Sequence, residues 1–185
     1  MSLTLSTMRP LGSSAIDFSL PDVRSSKWVS LGEYSKQPLL LMFICNHCPF
    51  VVHIADKMTA LANHYQEAGF GVIAISANDA LSYPQDGPGK MQIFAERYEF
   101  EFAYCYDESQ QTAKNYDAVC TPDFFVYDQT HKLRYRGQMD GSRPGNDIAV
   151  TGENLEAALK AVLSGNLVNE KQLPSMGCNI KWKSE

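Results

Sequence analysis

A chain of 185 residues, 44% hydrophobic and 20% charged, has the size and composition of one ordinary folded domain, with no low-complexity tract that would suggest a disordered arm. Its net charge of -5 comes without any cluster of lysines or arginines, which argues against a nucleic acid partner. The longest apolar run, residues 39–45, is too short to cross a bilayer, and the first residues lack a basic segment followed by an apolar one; a cytoplasmic protein with no membrane partner is expected.

Residues 1–15 are rich in Ser, Thr and Gly and read as a flexible lead-in, with order expected from Ile16. Residues 29–31 alternate like a short strand, and residues 39–44 form the continuous apolar run that a strand covered on both faces requires. From Pro49 to Ala68 apolar residues recur three or four apart until Gly69 ends the pattern, which predicts an amphipathic helix. Residues 71–76 are again apolar and β-branched, so strand, helix and strand follow one another as in a right-handed crossover between parallel strands.

Residues 78–90 contain Pro84, Gly87, Pro88 and Gly89 and read as a projecting loop. Helical spacing returns at 91–98 and 110–116, with a strand predicted at 102–106 between them. Residues 124–127 and 132–136, joined by a short polar link, suit an antiparallel hairpin, and residues 155–163 close the pattern as a helix with Glu153 in its first turn. The sum is an α/β fold, a mixed sheet of four or five strands with helices on both faces, spanning residues 16–165. Residues 166–185 read as an extended C-terminal tail carrying Cys178.

Five cysteines, an odd number spread along the chain, do not read as a secreted disulfide framework; redox or metal chemistry is the better question. Cys45-Asn46-His47-Cys48 falls where the apolar strand gives way to the amphipathic helix. There the unpaired N–H groups of the first turn and the positive end of the helix dipole favour thiolate over thiol. Pro49 suits the first helical position and places Cys48 at the N-cap, and an imidazolium at His47 would favour thiolate further. Spacing alone does not decide which sulfur attacks first. The reading takes Cys45 as nucleophile, the more exposed of the pair, and Cys48 as its resolving partner.

Far along the chain, Cys120-Thr121-Pro122-Asp123 puts a proline at the start of a strand, where it can hold a cis peptide bond. A C-x-x-C on a strand-to-helix turn followed by Thr121-Pro122 opening a hairpin resembles the thioredoxin superfamily. That resemblance implies a thioredoxin-like fold in which the proline loop faces the dithiol and positions the substrate backbone. Asp17-Phe18-Ser19-Leu20-Pro21-Asp22, residues 120–125 and Gly177-Cys178-Asn179-Ile180-Lys181-Trp182 are similar to peroxiredoxin-like redoxins of the alkyl hydroperoxide reductase and thiol-specific antioxidant group. Over nearly the whole chain this implies an oxidoreductase or antioxidant role. The chain departs from true peroxiredoxins, however: with Cys48 at their peroxidatic position, Cys45 stands where they have Thr and Leu41 where they have Pro. Pro122 stands where they have an activating arginine.

Disulfide exchange with a protein disulfide or a small thiol is therefore expected ahead of peroxide reduction, with an unidentified reductant and no cofactor. Cys120 and Cys178 are reserve thiols, the latter with Gly177 as a flexible joint before it and Trp182 as an apolar anchor after it; Cys105 reads as a buried packing thiol. Two rival functions use the same residues. One is a thiol peroxidase; the other is a copper or zinc carrier holding metal with Cys45, Cys48 and a histidine, either His47 or His53.

Overall fold

The computed structural model describes residues 3–184. Its centre is a five-stranded sheet in the order β6-β5-β4-β8-β9: β4 (Leu39–Phe43), β5 (Gly71–Ser76), β6 (Ala103–Tyr106), β8 (Asp123–Tyr127) and β9 (Leu133–Gly137). β4 runs parallel to β5 and antiparallel to β8, and every residue in it is buried. Leu40 and Met42 face one core and Leu39, Leu41 and Phe43 the other, which is why this strand is apolar throughout instead of alternating.

The first core is closed by α1 (Pro49–Glu67), α2 (Pro88–Arg97) and α4 (Glu153–Leu163), which contribute Val51, Ile54, Met91, Phe94, Leu155 and Leu159. The second lies under α3 (Gln111–Asn115) and the small hairpin of β2 (Ser19–Pro21) and β3 (Trp28–Ser30). The expected α/β arrangement, the crossover and the hairpin are all present. Among the described residues no helix is long and apolar enough to cross a membrane.

Three segments differ from expectation. Residues 78–90 are not loop throughout, since Pro88 starts α2 at the first helical position three residues before the apolar spacing begins. The lead-in is pinned down: β1 (Leu3–Leu5) is a strand, and Gly12 and Ala15 donate backbone bonds to Leu133 and His131. The tail folds back as β10 (Met176–Asn179), which lies between β1 and β7 (Cys120–Thr121) in a separate antiparallel sheet. These pairings join residues more than fifty positions apart, so no local pattern announces them.

Gly177 and Trp182 also have different roles from those read in the sequence. A Cβ on Gly177 would overlap the Thr121 carbonyl oxygen and crowd Pro122, so glycine is there because β10 presses against the β7 backbone, not as a joint. Trp182 is 38% exposed with Lys114 over its ring, while Ile180 is buried and its N–H is bonded to the Val119 carbonyl. Ile180 is the apolar anchor.

Candidate active site

Cys45 lies just past the C-terminal end of β4, the central strand, one residue after Ile44 makes its last bond to β5. Cys48 then caps α1 in an extended conformation (φ -69°, ψ 119°), and Pro49, which has no N–H to lose, occupies the first helical position as the sequence suggests. None of the five cysteines is bridged. Cys45 and Cys48 are both buried, at 1% and 0% exposure, so Cys45 is not the open member of the pair.

Thr121 meets both sulfurs. Its Oγ1 lies 3.3 Å from Cys45 Sγ, and its carbonyl oxygen lies 3.3 Å from Cys48 Sγ, accepting from Cys48 in the protonated form of that thiol only. The Thr121-Pro122 bond is cis, as expected. The proline divides β7 from β8, so the chain leaves the small sheet and enters the central one beside the dithiol. Thr121 and Pro122 thus stand where the sequence placed them.

The two thiols are electrostatically unequal. The hydrogen bond between them above all, and burial next, holds the Cys45 proton in place and pushes its pKa well above the ordinary thiol value. The same bond lowers Cys48; burial opposes this, but the Cys178 thiol and the backbone N–H groups of Cys178 and Val51 also donate to its sulfur. Of the two, Cys48 is the one pushed toward thiolate, while the sequence reading takes Cys45 as the nucleophile. The Cys45 bond is the largest cause, and β10 adds two further donors that the C-x-x-C turn alone does not contain.

Asp86 was missed, because a single acid in a Pro/Gly-rich stretch carries no pattern. It is fully buried and accepts from the N–H groups of Asn46 and His47 at 2.9 and 3.3 Å, and from the Asn78 amide at 2.8 Å. His47 Nδ1 lies 2.5 Å from Asp86 Oδ2, a close ion-pair distance without the alignment of a hydrogen bond, and the ring stacks on Tyr83 at 5.9 Å. Asp86 therefore offsets any charge on His47, and hydrogen bonds rather than an imidazolium account for the low Cys48 value. Asp86 also raises Cys45.

The ligand atoms of Cys45, His47 and Asp86 lie within 4.8 Å of one another. Asp86 is already surrounded by three N–H donors and the imidazole, so support of the loop explains the cluster. His53, one turn into α1, is turned to the Ser142 hydroxyl at 2.7 Å and does not join it.

Cys120 is buried next to this site in β7, its pKa raised by burial first and then by Asp123, and it is not among the groups that donate to Cys48. Cys105 is likewise buried and raised, in β6, as expected of a packing thiol. Asp123 and Arg136, also missed, form a fully buried ion pair at 3.0 Å directly after Pro122. Burial pushes Asp123 up to about 7 while the guanidinium pulls it down. Arg136 bonds Asp123 and the Asp117 carbonyl and lies over the Phe125 ring. No contact aims it at Cys48 in the manner of a peroxide-activating arginine.

Residues 11–136 match the model of the AhpC/TSA family. An uncharacterized conserved protein of Geobacillus kaustophilus is 48% identical, with 100% of this chain and 98% of that one covered at a TM-score of 0.97. A hypothetical protein of Sinorhizobium meliloti is 44% identical over 98% of this chain and 100% of its own, with a TM-score of 0.95. A proposed thiol:disulfide interchange protein DsbE of Chlorobium tepidum is similar at 23% identity over 83% and 98% of the two chains, TM-score 0.64, which bears on the fold and shows it to be thioredoxin-like. No curated protein sequence matches significantly.

Proposed function

The chain belongs to the AhpC/TSA family, a family of redoxins, and we propose that within it the protein is a thiol–disulfide oxidoreductase that works through Cys45 and Cys48. One observation carries the reading. Cys48 sits at a helix N-cap, and Thr121 meets its sulfur and that of Cys45 at 3.3 Å each, so a thiol favoured to ionise and its resolving partner share one site beside the proline loop. Cys48 attacks a disulfide sulfur of the substrate, whose other half leaves as a thiolate. Cys45 then attacks Cys48, passing its proton to the departing group, and the second half leaves as the Cys45–Cys48 disulfide forms. A reductant supplies two electrons to restore the dithiol.

Thr121 and Pro122 position the substrate, and Pro122 also borders a small cleft with Phe50, Met139, Arg143 and Met176 in its walls. A cytoplasmic location belongs to this proposal, since a reducing compartment keeps such a pair cycling. The test is reduction of insulin by dithiothreitol. Cys48→Ser should abolish catalysis and Cys45→Ser should stall it at a mixed disulfide; full activity in Cys48→Ser would rule the mechanism out.

A peroxidase is the second reading, and the burial of both sulfurs favours it, because peroxide is small enough to enter where a protein disulfide needs the loop to open. Adding hydrogen peroxide to reduced protein separates the two. Under the peroxidase reading Cys48 oxidises faster than with a model disulfide; under the preferred one it does not.

A further inference from the structure

We propose that Cys178 is a second resolving thiol, placed against Cys48 by the β10–β7 ladder, so that Cys48 can close a disulfide with either Cys45 or Cys178. This deepens the exchange reading above and rests on it.

The placement is built by the backbone. Cys178 pairs with Thr121 in the β10–β7 ladder, and the carbonyl of that same Thr121 accepts from Cys48 Sγ at 3.3 Å. Gly177 lets β10 approach so closely that any side chain there would overlap the Thr121 carbonyl. Leu3 pairs with Cys178 from the other side, and Ile180 is buried two residues later. The strand is held by both neighbours, and Cys178 is buried in the same core cluster as Cys45 and Cys48. Its thiol and its backbone N–H both donate to Cys48 Sγ. Cys48 is thus the sulfur in contact with both other thiols. A packing cysteine needs none of this polar contact.

The chemistry balances without an added oxidant beyond the substrate disulfide. Cys48 thiolate attacks one sulfur of a disulfide RSSR, releasing one thiolate and leaving Cys48–SR. Cys178 loses its proton to the departing group and attacks Cys48 Sγ; the Cys48–SR bond breaks, the second RSH leaves and a Cys48–Cys178 disulfide remains. Burial raises the Cys178 thiol first, and reduced Cys48 beside it then helps to hold the Cys178 proton. Once Cys48 is in a mixed disulfide its negative charge is gone, so Cys178 ionises more readily in the state in which it is required.

Oxidised glutathione is the probe, read by intact mass and non-reducing peptide mapping on the full chain. Wild type should release two glutathiones per chain and end free of adduct. Cys45→Ser should also release two and yield a Cys48–Cys178 peptide pair within one chain. Adding Cys178→Ser, or Cys178→Ala as a second replacement, to Cys45→Ser should leave a stable glutathione adduct on Cys48. A persistent adduct in Cys45→Ser alone, or a pairing of Cys48 with Cys120, overturns the proposal while the exchange reading stands. If wild type takes up no glutathione and forms no disulfide at Cys48, the exchange reading fails, and the proposal with it.

Discussion

Asp86 Oδ1 accepts the backbone N–H of Asn46 at 2.9 Å, so the segment between the two halves of the fold fixes the loop that carries both site cysteines. With the 3.3 Å bond from the His47 N–H, the carboxylate holds Asn46 and His47 as a cap would, forty residues away in sequence. Asp86→Ala would leave these buried donors without partners. The expected cost is about 1–3 kcal/mol of stability, read from urea denaturation of the reduced protein. Asp86→Asn keeps one acceptor and should lose less, while also lowering the pKa of Cys45, which the carboxylate raises. An Asp86→Ala variant as stable as wild type would show that the bonds do not hold the loop.

Gly177→Ala forces a methyl group into the Thr121 carbonyl, backbone against backbone, with no flexible side chain to yield. Stability should fall by at least about 1–3 kcal/mol, the usual range for overpacking. The β10 strand should also move away from Cys48. The same variant therefore raises the Cys48 pKa, because two of the donors to its sulfur belong to Cys178. Thermal melts and the ultraviolet absorbance of the thiolate would be followed together. A Gly177→Ala protein with unchanged melting and unchanged thiolate titration would show that β10 is not pressed against β7.

The central sheet was legible because its strands are nearly consecutive in the chain and marked by period and turn chemistry. Residues 39–44 could only be a doubly covered strand, and Pro49 after Cys48 could only open a helix. Thr121-Pro122 was legible from its place before a strand. The small sheet was not: Leu3, Thr121 and Cys178 come together across more than a hundred positions, and Gly177 looks the same in a sequence whether it bends or packs. Asp86, Asp123 and Arg136 were missed for a related reason. Their function lies in being buried with partners, and charge alone reads as surface. The pull of Cys48 toward thiolate rests first on Cys45 and then on β10 donors that a reading of the C-x-x-C turn cannot contain.

Arg136 and Asp123 make a fully buried pair beside the proline loop. Removing Arg136 leaves Asp123 buried without its ion partner, where it must take up a proton, so Arg136→Met should cost up to about 3–5 kcal/mol. Replacing both, as Asp123→Leu with Arg136→Met, should recover part of that loss, since no charge is then stranded. Denaturant midpoints of the two single variants and the double variant decide it. A double variant less stable than both singles would mean that the pair contributes more by its hydrogen bonds than it costs in desolvation.

Stability of the reduced protein should fall with pH in a window set by Cys48. Its native pKa is lowered beneath the ordinary thiol value of about 8.5, which the unfolded chain has. Above that value the thiolate exists in both states and the native preference for it is fully expressed. As pH falls the unfolded thiol takes up its proton first, and the stabilisation drains away until the native thiolate is protonated too. Cys45 and Cys178 act on the other side: their raised pKa values stabilise the native state below the ordinary thiol value and lose that contribution as pH rises above it. Between neutral and mildly acidic pH, Cys48 is therefore the thiol that titrates. The difference in unfolding free energy between reduced wild type and Cys48→Ser should shrink on acidification, by up to about 1.4 kcal/mol per pH unit for one proton. Groups common to both proteins, Asp123 among them, cancel in the difference to the extent that the substitution leaves their surroundings unchanged. Oxidised wild type, which has no Cys48 thiol to ionise, serves as the control and should track the Cys48→Ser variant. A difference that stays flat from pH 8 to pH 5 would show that Cys48 is an ordinary thiol in the folded protein, and the hydrogen bonds from Cys45, Cys178 and Val51 would then have no electrostatic consequence.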